Sequence, residues 1–217
     1  MNVQFFISKI DIFSNLDIFI YMKYNIINHP KGKRPEIRLT VRRVESNVFY
    51  SCGFATHHYL TSRINKSCKC LLFEWNNVPV AFAAILNSPR GNCRWAMSIS
   101  RLVVLPDFQG MGLSTQIFNF CGGIVKALSD DEHDYHLYIK TAHTKLGKAL
   151  DHNPNARATV MDGKSLGEYA ASHDSKYANR VTRRSFCKEY IGSPIYGYEH
   201  LLKPIKELRE EKLKKLT

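Results

Sequence analysis

WAMSISRLVVL at residues 95–105, followed by PDFQGMGL at 106–113, is an apolar run of strand length that meets a proline, then two glycines, then a new periodicity. Pro106 cannot extend a sheet ladder, so the strand is predicted to end there. Beyond the glycines, Leu113, Ile117, Phe120, Ile124 and Leu128 recur every three or four residues, the spacing of an amphipathic helix of about four turns. Gly122 and Gly123 fall inside it at a cost of about 1 kcal/mol each relative to Ala, and are predicted to allow close packing on a sheet. A strand running through Gly110-x-Gly112 into a helix is an arrangement suited to phosphate. Glycines clear the approach to the backbone, and the free N–H groups of the first helical turn face the anion with the helix dipole behind them.

Working outward, EIRLTVRRVE at 36–45 alternates apolar and basic residues, as a half-buried strand does. Residues 47–65 carry Val48, Phe49, Cys52 and Tyr59 at loosely helical spacing, with Ser46 in position to cap, and a helix is expected. KCLLFEW at 69–75 and VPVAFAAIL at 78–86 read as a hairpin about Asn76-Asn77, a pair that tolerates a left-handed turn. Pro89 to Asn92 is a turn, YHLYIKTA at 135–142 a strand, and 144–150 a short helix closed by Asn153-Pro154. Residues 153–179 show little periodicity and are expected to be an irregular insertion; RSFCKEYI at 184–191 is a last strand, and the tail from 204 a charged helix.

Two nucleotide-binding patterns compete for the glycine turn and fail. A dinucleotide turn requires a third glycine where Thr115 stands, in a leading βαβ unit, whereas a hairpin precedes it here. ATVMDGKS at 158–165 is a near miss to a phosphate loop, with Ala158 in place of its first glycine and no strand before it. In contrast, Leu102-Val103-Val104-Leu105-Pro106 followed by Gln109-Gly110-Met111-Gly112 resembles the strand, Val-x-Pro and pyrophosphate loop of the GNAT acyltransferase superfamily. Asp107 departs from that loop's usual first Arg or Gln. The order of elements over roughly 36–192 is similar as well.

The resemblance implies an α+β fold: a mixed, mostly antiparallel sheet flanked by helices and splayed between the strands at 95–105 and 135–142. It implies acetyl-CoA or another acyl-CoA as cofactor. Backbone groups at Val103, Val104 and Leu105 would pair with the pantetheine arm. The N–H groups of Gln109, Gly110, Met111, Gly112 and Leu113, with the Ser114 hydroxyl nearby, would hold the pyrophosphate. The implied reaction is direct: an acceptor amine loses its proton to a base and attacks the thioester carbonyl, and the departing thiolate is protonated. Many relatives use a Glu on the strand before the loop and a Tyr after the next strand. Here Arg101 stands in the first region and the helix after 142 has no tyrosine. The candidates for proton transfer are therefore His58 and Tyr59 (with His57 beside them), His143 at the end of a strand, and Tyr190.

Composition bounds the partners. The 217 residues are enough for one well-buried domain, and 44% hydrophobic with 23% charged residues is a globular profile. A net charge of +12 favours polyanions. The cations cluster at Lys31, Lys33, Arg34, Arg38, Arg42 and Arg43 and again at Lys176, Arg180, Arg183, Arg184 and Lys188. His58-Tyr59 and this charge also resemble the Mom-type phage DNA-modification branch of the same fold, which makes nucleic acid an alternative partner. A module that keeps the fold without the chemistry is a third reading. None of the six cysteines has the spacing of a zinc or redox pair, so reduced thiols, no metal and a cytoplasmic location are expected. The segment 1–28 is broken by Lys9, Asp11, Asp17 and Lys23, too often for a spanning helix, and Met22 is an alternative translational start. The expected organisation is an extension at 1–35, an acyltransferase domain at 36–192 and a tail at 193–217; the oligomeric state and the acceptor are not legible.

Overall fold

The computed structural model describes residues 20–24, 37–58, 63–91, 93–165, 184–205 and 207. They fall into two compact units. One contains the described residues up to Ala84, Arg101–Phe108 and those from His200 on; the other contains Ile85–Ser100 and Gln109–Glu199.

In the first unit the strand order is β1 (Ile20–Tyr24), β2 (Ile37–Val44), β3 (Lys69–Trp75), β4 (Val78–Asn87) and β5 (Ala96–Val104), the last two running on into the second unit. β1 pairs with β2 and β2 with β3, both antiparallel, the latter from Thr40 opposite Glu74 to Val44 opposite Cys70. Asn76 and Asn77 adopt φ of 51° and 63°, the double left-handed turn that the hairpin reading requires. The core of this unit is built from Leu39, Val41, Leu71, Leu72, Phe73 and Phe82.

The helix expected at 47–65 is replaced by two short pieces. One is a single turn, α1 (Val48–Ser51); the other is a 3-10 turn at Phe54–His57. Gly53 separates them at φ 75°, a left-handed residue that a continuous helix cannot contain, and Asn47 makes no side-chain cap. Hydrophobic anchoring overrides the loose periodicity. Phe49 and Phe54 are fully buried, with ring centroids 5.2 and 5.6 Å from Phe82. Residues 59–62, which include Tyr59, lie outside the described set.

In the second unit the order is β4, β5, β6 (His136–Thr141), β8 (Phe186–Tyr190) and β7 (Ala156–Ala158). β5 and β6 run parallel, while β8 is antiparallel to β6 and to β7, so the sheet is mixed and mostly antiparallel, as expected. The parallel ladder spans Ala96 opposite His136 to Ile99 opposite Ile139 and stops there, although β5 continues to Val104 and β6 to Thr141. β7 lies in the stretch read from sequence as irregular. The turn after it is pinned to β8, because Asp162 accepts the Cys187 N–H at 2.7 Å and pairs with the buried Lys188 ammonium, also at 2.7 Å. Asp151 holds the same ammonium. Burial alone would lower the Lys188 pKa; the hydrogen bonds to the two aspartates overcome it and hold the group above the usual lysine range.

α2 (Leu113–Lys126) and α3 (Thr144–Asp151) pack on this unit's sheet through small residues. A Cβ added at Gly122 would lie 2.1 Å from the Tyr190 ring, and one at Gly147 would lie 2.1 Å from Phe186. The mid-helix glycines thus let aromatic rings of β8 seat against the helix backbone, which offsets their low helix propensity. A buried hydrogen bond of 2.8 Å from Asn153 to Asn119 fixes the end of α3's connection to α2.

At an exposed helical site, Gly→Ala stabilises by about 1 kcal/mol. At Gly122 the ring contact reverses the sign: Gly122→Ala should destabilise by roughly 1–3 kcal/mol of overpacking, measured as a lowered midpoint in urea. A stabilised variant would show that Tyr190 moves aside freely.

Candidate functional site

The turn between β5 and α2 is built by three local constraints. Pro106 stops β5 and opens a 3-10 turn, Pro106–Phe108, closed by the Phe108 N–H donating to the Leu105 carbonyl at 3.0 Å. Gly110 and Gly112 both take φ 79°, a region that costs other residues roughly 1–2 kcal/mol. Leu113, 2% exposed, then anchors the first turn of α2 in the core.

The consequence appears in the hydrogen-bond accounting. Among the described residues, the six consecutive amides from Gly110 to Thr115 donate to no protein acceptor; the first amide of the series to do so is Gln116, to the Gly112 carbonyl at 3.4 Å. Gly112, the N-cap residue, provides no side-chain cap, and no acidic residue lies in the first turn. A Cβ at Gly110 or Gly112 would meet no atom within 4 Å, so the space beside the turn is open. Six donors at the positive end of a 14-residue helix are an arrangement suited to an anion.

On the strand leading into it, Val103 and Val104 are buried. The Leu105 N–H donates to the Val80 carbonyl at 2.9 Å and its carbonyl accepts from Phe108, so both Leu105 peptide groups are used within the protein. The Leu105 carbonyl keeps a second lone pair with which it can accept a further hydrogen bond. By strand alternation the peptide groups of Val104 point to the opposite edge of β5 from those of Leu105.

The proton-transfer candidates are dispersed. His143 N-caps α3, its Nδ1 accepting the Leu146 N–H at 3.2 Å, which leaves Nε2 to carry the ring proton. Tyr190 is 6% exposed, donates its hydroxyl to the Ser193 carbonyl at 2.8 Å and has its pKa pushed up to about 12 by burial; it is packing for α2. Arg101 donates to the Arg63 carbonyl. His58 is half-buried after the Phe54–His57 turn, its ring edge-on to Phe49 at 6.4 Å. Tyr59 lies outside the described residues.

One polar constellation was not anticipated. Glu189 of β8 accepts from His136 at 2.8 Å and from Arg157 at 2.8 Å, and Asp134 takes the other nitrogen of His136 at 3.0 Å. The Arg90 guanidinium lies 4.4 Å over the Tyr138 ring. Burial would raise the Glu189 pKa, but the hydrogen bonds from Arg157 and His136 outweigh it and hold the carboxyl below the usual range. Burial and then Glu189's charge push the Tyr138 phenol up to about 12. Alternation along YHLYIK placed His136, Tyr138 and Lys140 on one face; the partners on β7 and β8 depend on a register invisible in the sequence.

Part of the basic clusters is consumed internally. Arg42 makes two hydrogen bonds to Glu74, at 2.9 and 3.1 Å, and Arg43 donates to the carbonyls of Val44 and Cys70 at 2.8 and 3.1 Å. Lys188 is paired as described, and residues 31, 33, 34, 176, 180 and 183 lie outside the described set. Among the described residues no group of three His, Cys, Asp or Glu side chains could hold a metal, and no helix is long and apolar enough to cross a membrane.

Residues 38–141 match the family model described as the acetyltransferase (GNAT) family. No curated protein sequence matches the chain significantly. Solved structures with a similar fold include an IAA acetyltransferase from Bacillus cereus, with 10% identity, 70% of this chain and 98% of that one covered, and a TM-score of 0.49. Another is the ribosomal-protein-S18-alanine N-acetyltransferase from Escherichia coli (11% identity, 73% and 97% covered, TM-score 0.46). A third is a GNAT family acetyltransferase from Elizabethkingia anophelis with acetyl-CoA bound (15%, 71% and 98%, 0.40).

Two measurements follow from the geometry. Glu189's lowered pKa means that its contribution to stability is present above the ordinary glutamate value of 4.5 and is lost as the pH falls through its lower folded value. The melting-temperature gap between the protein and Glu189→Gln should therefore narrow between about pH 6 and about pH 3; a constant gap would contradict it. At His143, replacement by Ala should cost about 1 kcal/mol as a lost cap, and replacement by Asn, which caps without titrating, should recover it in thermal denaturation.

Proposed function

We propose, from the match of residues 38–141 to the acetyltransferase (GNAT) family model, that the chain is an acyl-CoA-dependent N-acyltransferase. In this reading it transfers an acetyl or similar acyl group to an amine by direct attack. The observation that carries the proposal is the run of six amides, Gly110 to Thr115, that donate to no protein acceptor among the described residues. They sit behind two left-handed glycines at the start of α2.

The residues present fit the group. Gly110, Met111, Gly112, Leu113 and Ser114, with Gln109 at the entry, would bind the pyrophosphate through main-chain N–H groups, so the side chains of Met111 and Gln109 are free to vary. No carboxylate in the first turn of α2 opposes the anion. At the end of β5, Val103 and Val104 would supply a buried, apolar strand alongside the pantetheine arm. A bound acyl-CoA supplies the activated thioester.

Proton transfer falls to groups other than the Glu and Tyr usual in the family. Tyr190 is fully engaged in packing and His143 in capping, and Arg101 is no base. We propose an imidazole as the proton acceptor from the attacking amine, with His58 as the candidate to test. The acceptor is an amine of a protein or small molecule; the internal pairing of Arg42, Arg43 and Lys188 weighs against a nucleic-acid substrate.

Acetyl-CoA at 100 times its dissociation constant should stabilise the protein by about 2.7 kcal/mol, seen as a raised melting temperature. Gly112→Val, which combines a left-handed φ with a β-branched side chain, should abolish that shift, and His58→Gln should preserve it while lowering turnover. Absence of a shift in the unaltered protein at millimolar acetyl-CoA would favour a fold kept without chemistry. A gel shift on duplex DNA that weakens steeply with salt would instead favour the nucleic-acid reading.

A further inference from the structure

In the second unit, strand register sets four polar side chains in a row across one face of the sheet. Ser98 of β5 lies opposite Tyr138 of β6, Tyr138 opposite Glu189 of β8, and Glu189 opposite Arg157 of β7. α2 and α3 pack on the other face, where Tyr190 and Phe186 meet their glycines. The acid of the row is already engaged, because Glu189 holds Arg157 and His136, each at 2.8 Å. Asp134 likewise holds His136 at 3.0 Å and Lys126 at 2.7 Å.

Arg90 reaches this row from the turn that follows β4. Reciprocal backbone hydrogen bonds with Cys93, at 3.0 and 2.7 Å, fix the turn, and the guanidinium carbon lies 4.4 Å from the centre of the Tyr138 ring. A ring face attracts the charge of a guanidinium and leaves its fork of N–H groups to other partners. Among the described residues that fork donates to no acceptor, and Arg90 is exposed. Lys140, exposed as well, stands on the same face two residues beyond Tyr138, about 7 Å along β6. The half-buried Ser98 adds a hydroxyl on the neighbouring strand.

We propose that Arg90, with Lys140 and the Ser98 hydroxyl beside Tyr138, is a binding site for the carboxylate of a small organic acid. The guanidinium fork matches the two oxygens of a carboxylate, Lys140 adds a point charge, and the serine hydroxyl adds a neutral donor. Stacking on Tyr138 restricts the arginine before the ligand arrives, so less side-chain freedom is lost on binding. The nearby carboxylates do not compete for the fork, since His136, Arg157 and Lys126 hold them.

The site contains no residue of the glycine turn, and its test needs no acyl-CoA. Full-length, nitrogen-15-labelled protein is titrated with succinate, with sodium chloride at matched ionic strength and, separately, with inorganic phosphate. The arginine Nε–H signals are followed by NMR. One signal, missing from the spectrum of Arg90→Lys, should move saturably with succinate and stay in place with chloride. Arg90→Lys keeps the charge and loses the fork, and should weaken succinate binding about tenfold or more, read from the backbone amides of Ser98 and Tyr138. Lys140→Gln should weaken it by a smaller factor, and Lys145→Gln, on α3 behind the sheet, should leave it unchanged. If Arg90→Lys fails to fold, the Lys140→Gln and Lys145→Gln titrations decide. An Arg90 signal that responds no more to succinate than to chloride overturns the proposal, as does undiminished binding by Arg90→Lys. Equal losses in Lys140→Gln and Lys145→Gln overturn it too, since net charge would then be the attraction. Tighter binding of phosphate than of succinate overturns the assignment to a carboxylate.

Discussion

A helix cannot satisfy its own first amides, and everything proposed for this protein depends on how that debt is left standing at α2. Side-chain caps are the usual remedy. Here Gly112 occupies the capping position and makes no such bond, and Gly110 repeats its left-handed φ two residues earlier. The backbone therefore turns its donors outward over six residues in place of the customary four. A polar ligand that takes up these donors has no hydrogen bond from the described residues to break first.

The surrounding structure keeps that turn in place. β5 is stopped by proline on one side, and on the other α2 is clamped through Gly122 against Tyr190 and through a buried asparagine pair. Tyr190, Phe186 and Lys188 alternate on one face of β8; the two aromatic rings meet glycines in α2 and α3, and the lysine meets aspartates at the end of α3 and in the following turn. One five-residue strand thus positions both α-helices described in its unit.

The parts of the fold set by local chemistry were legible in the sequence. Proline and glycine punctuation located the turn, two asparagines set the hairpin, and three-to-four-residue spacing located α2 to within a couple of residues. What failed was decided by long-range packing. The loose helical spacing at 47–65 gave way to the burial of Phe49 and Phe54 against Phe82, which residues far along the chain provide. The charged network on Glu189 depends on a register between strands more than 30 residues apart, as does the use of Arg157. Single histidines and tyrosines gave the weakest signal of function. His143 and Tyr190 have geometry that accounts for them as cap and packing group, and nothing in their sequence neighbourhood distinguished those duties from catalysis.

The outermost strand described in the second unit, β7, is only three residues long and carries Arg157 in its middle. A sheet margin with a long row of unsatisfied peptide groups invites another chain to zip onto it. A margin this short, with a guanidinium at its centre, offers too few rungs for a second molecule to nucleate upon, so β7 discourages edge-to-edge association by its own length and charge.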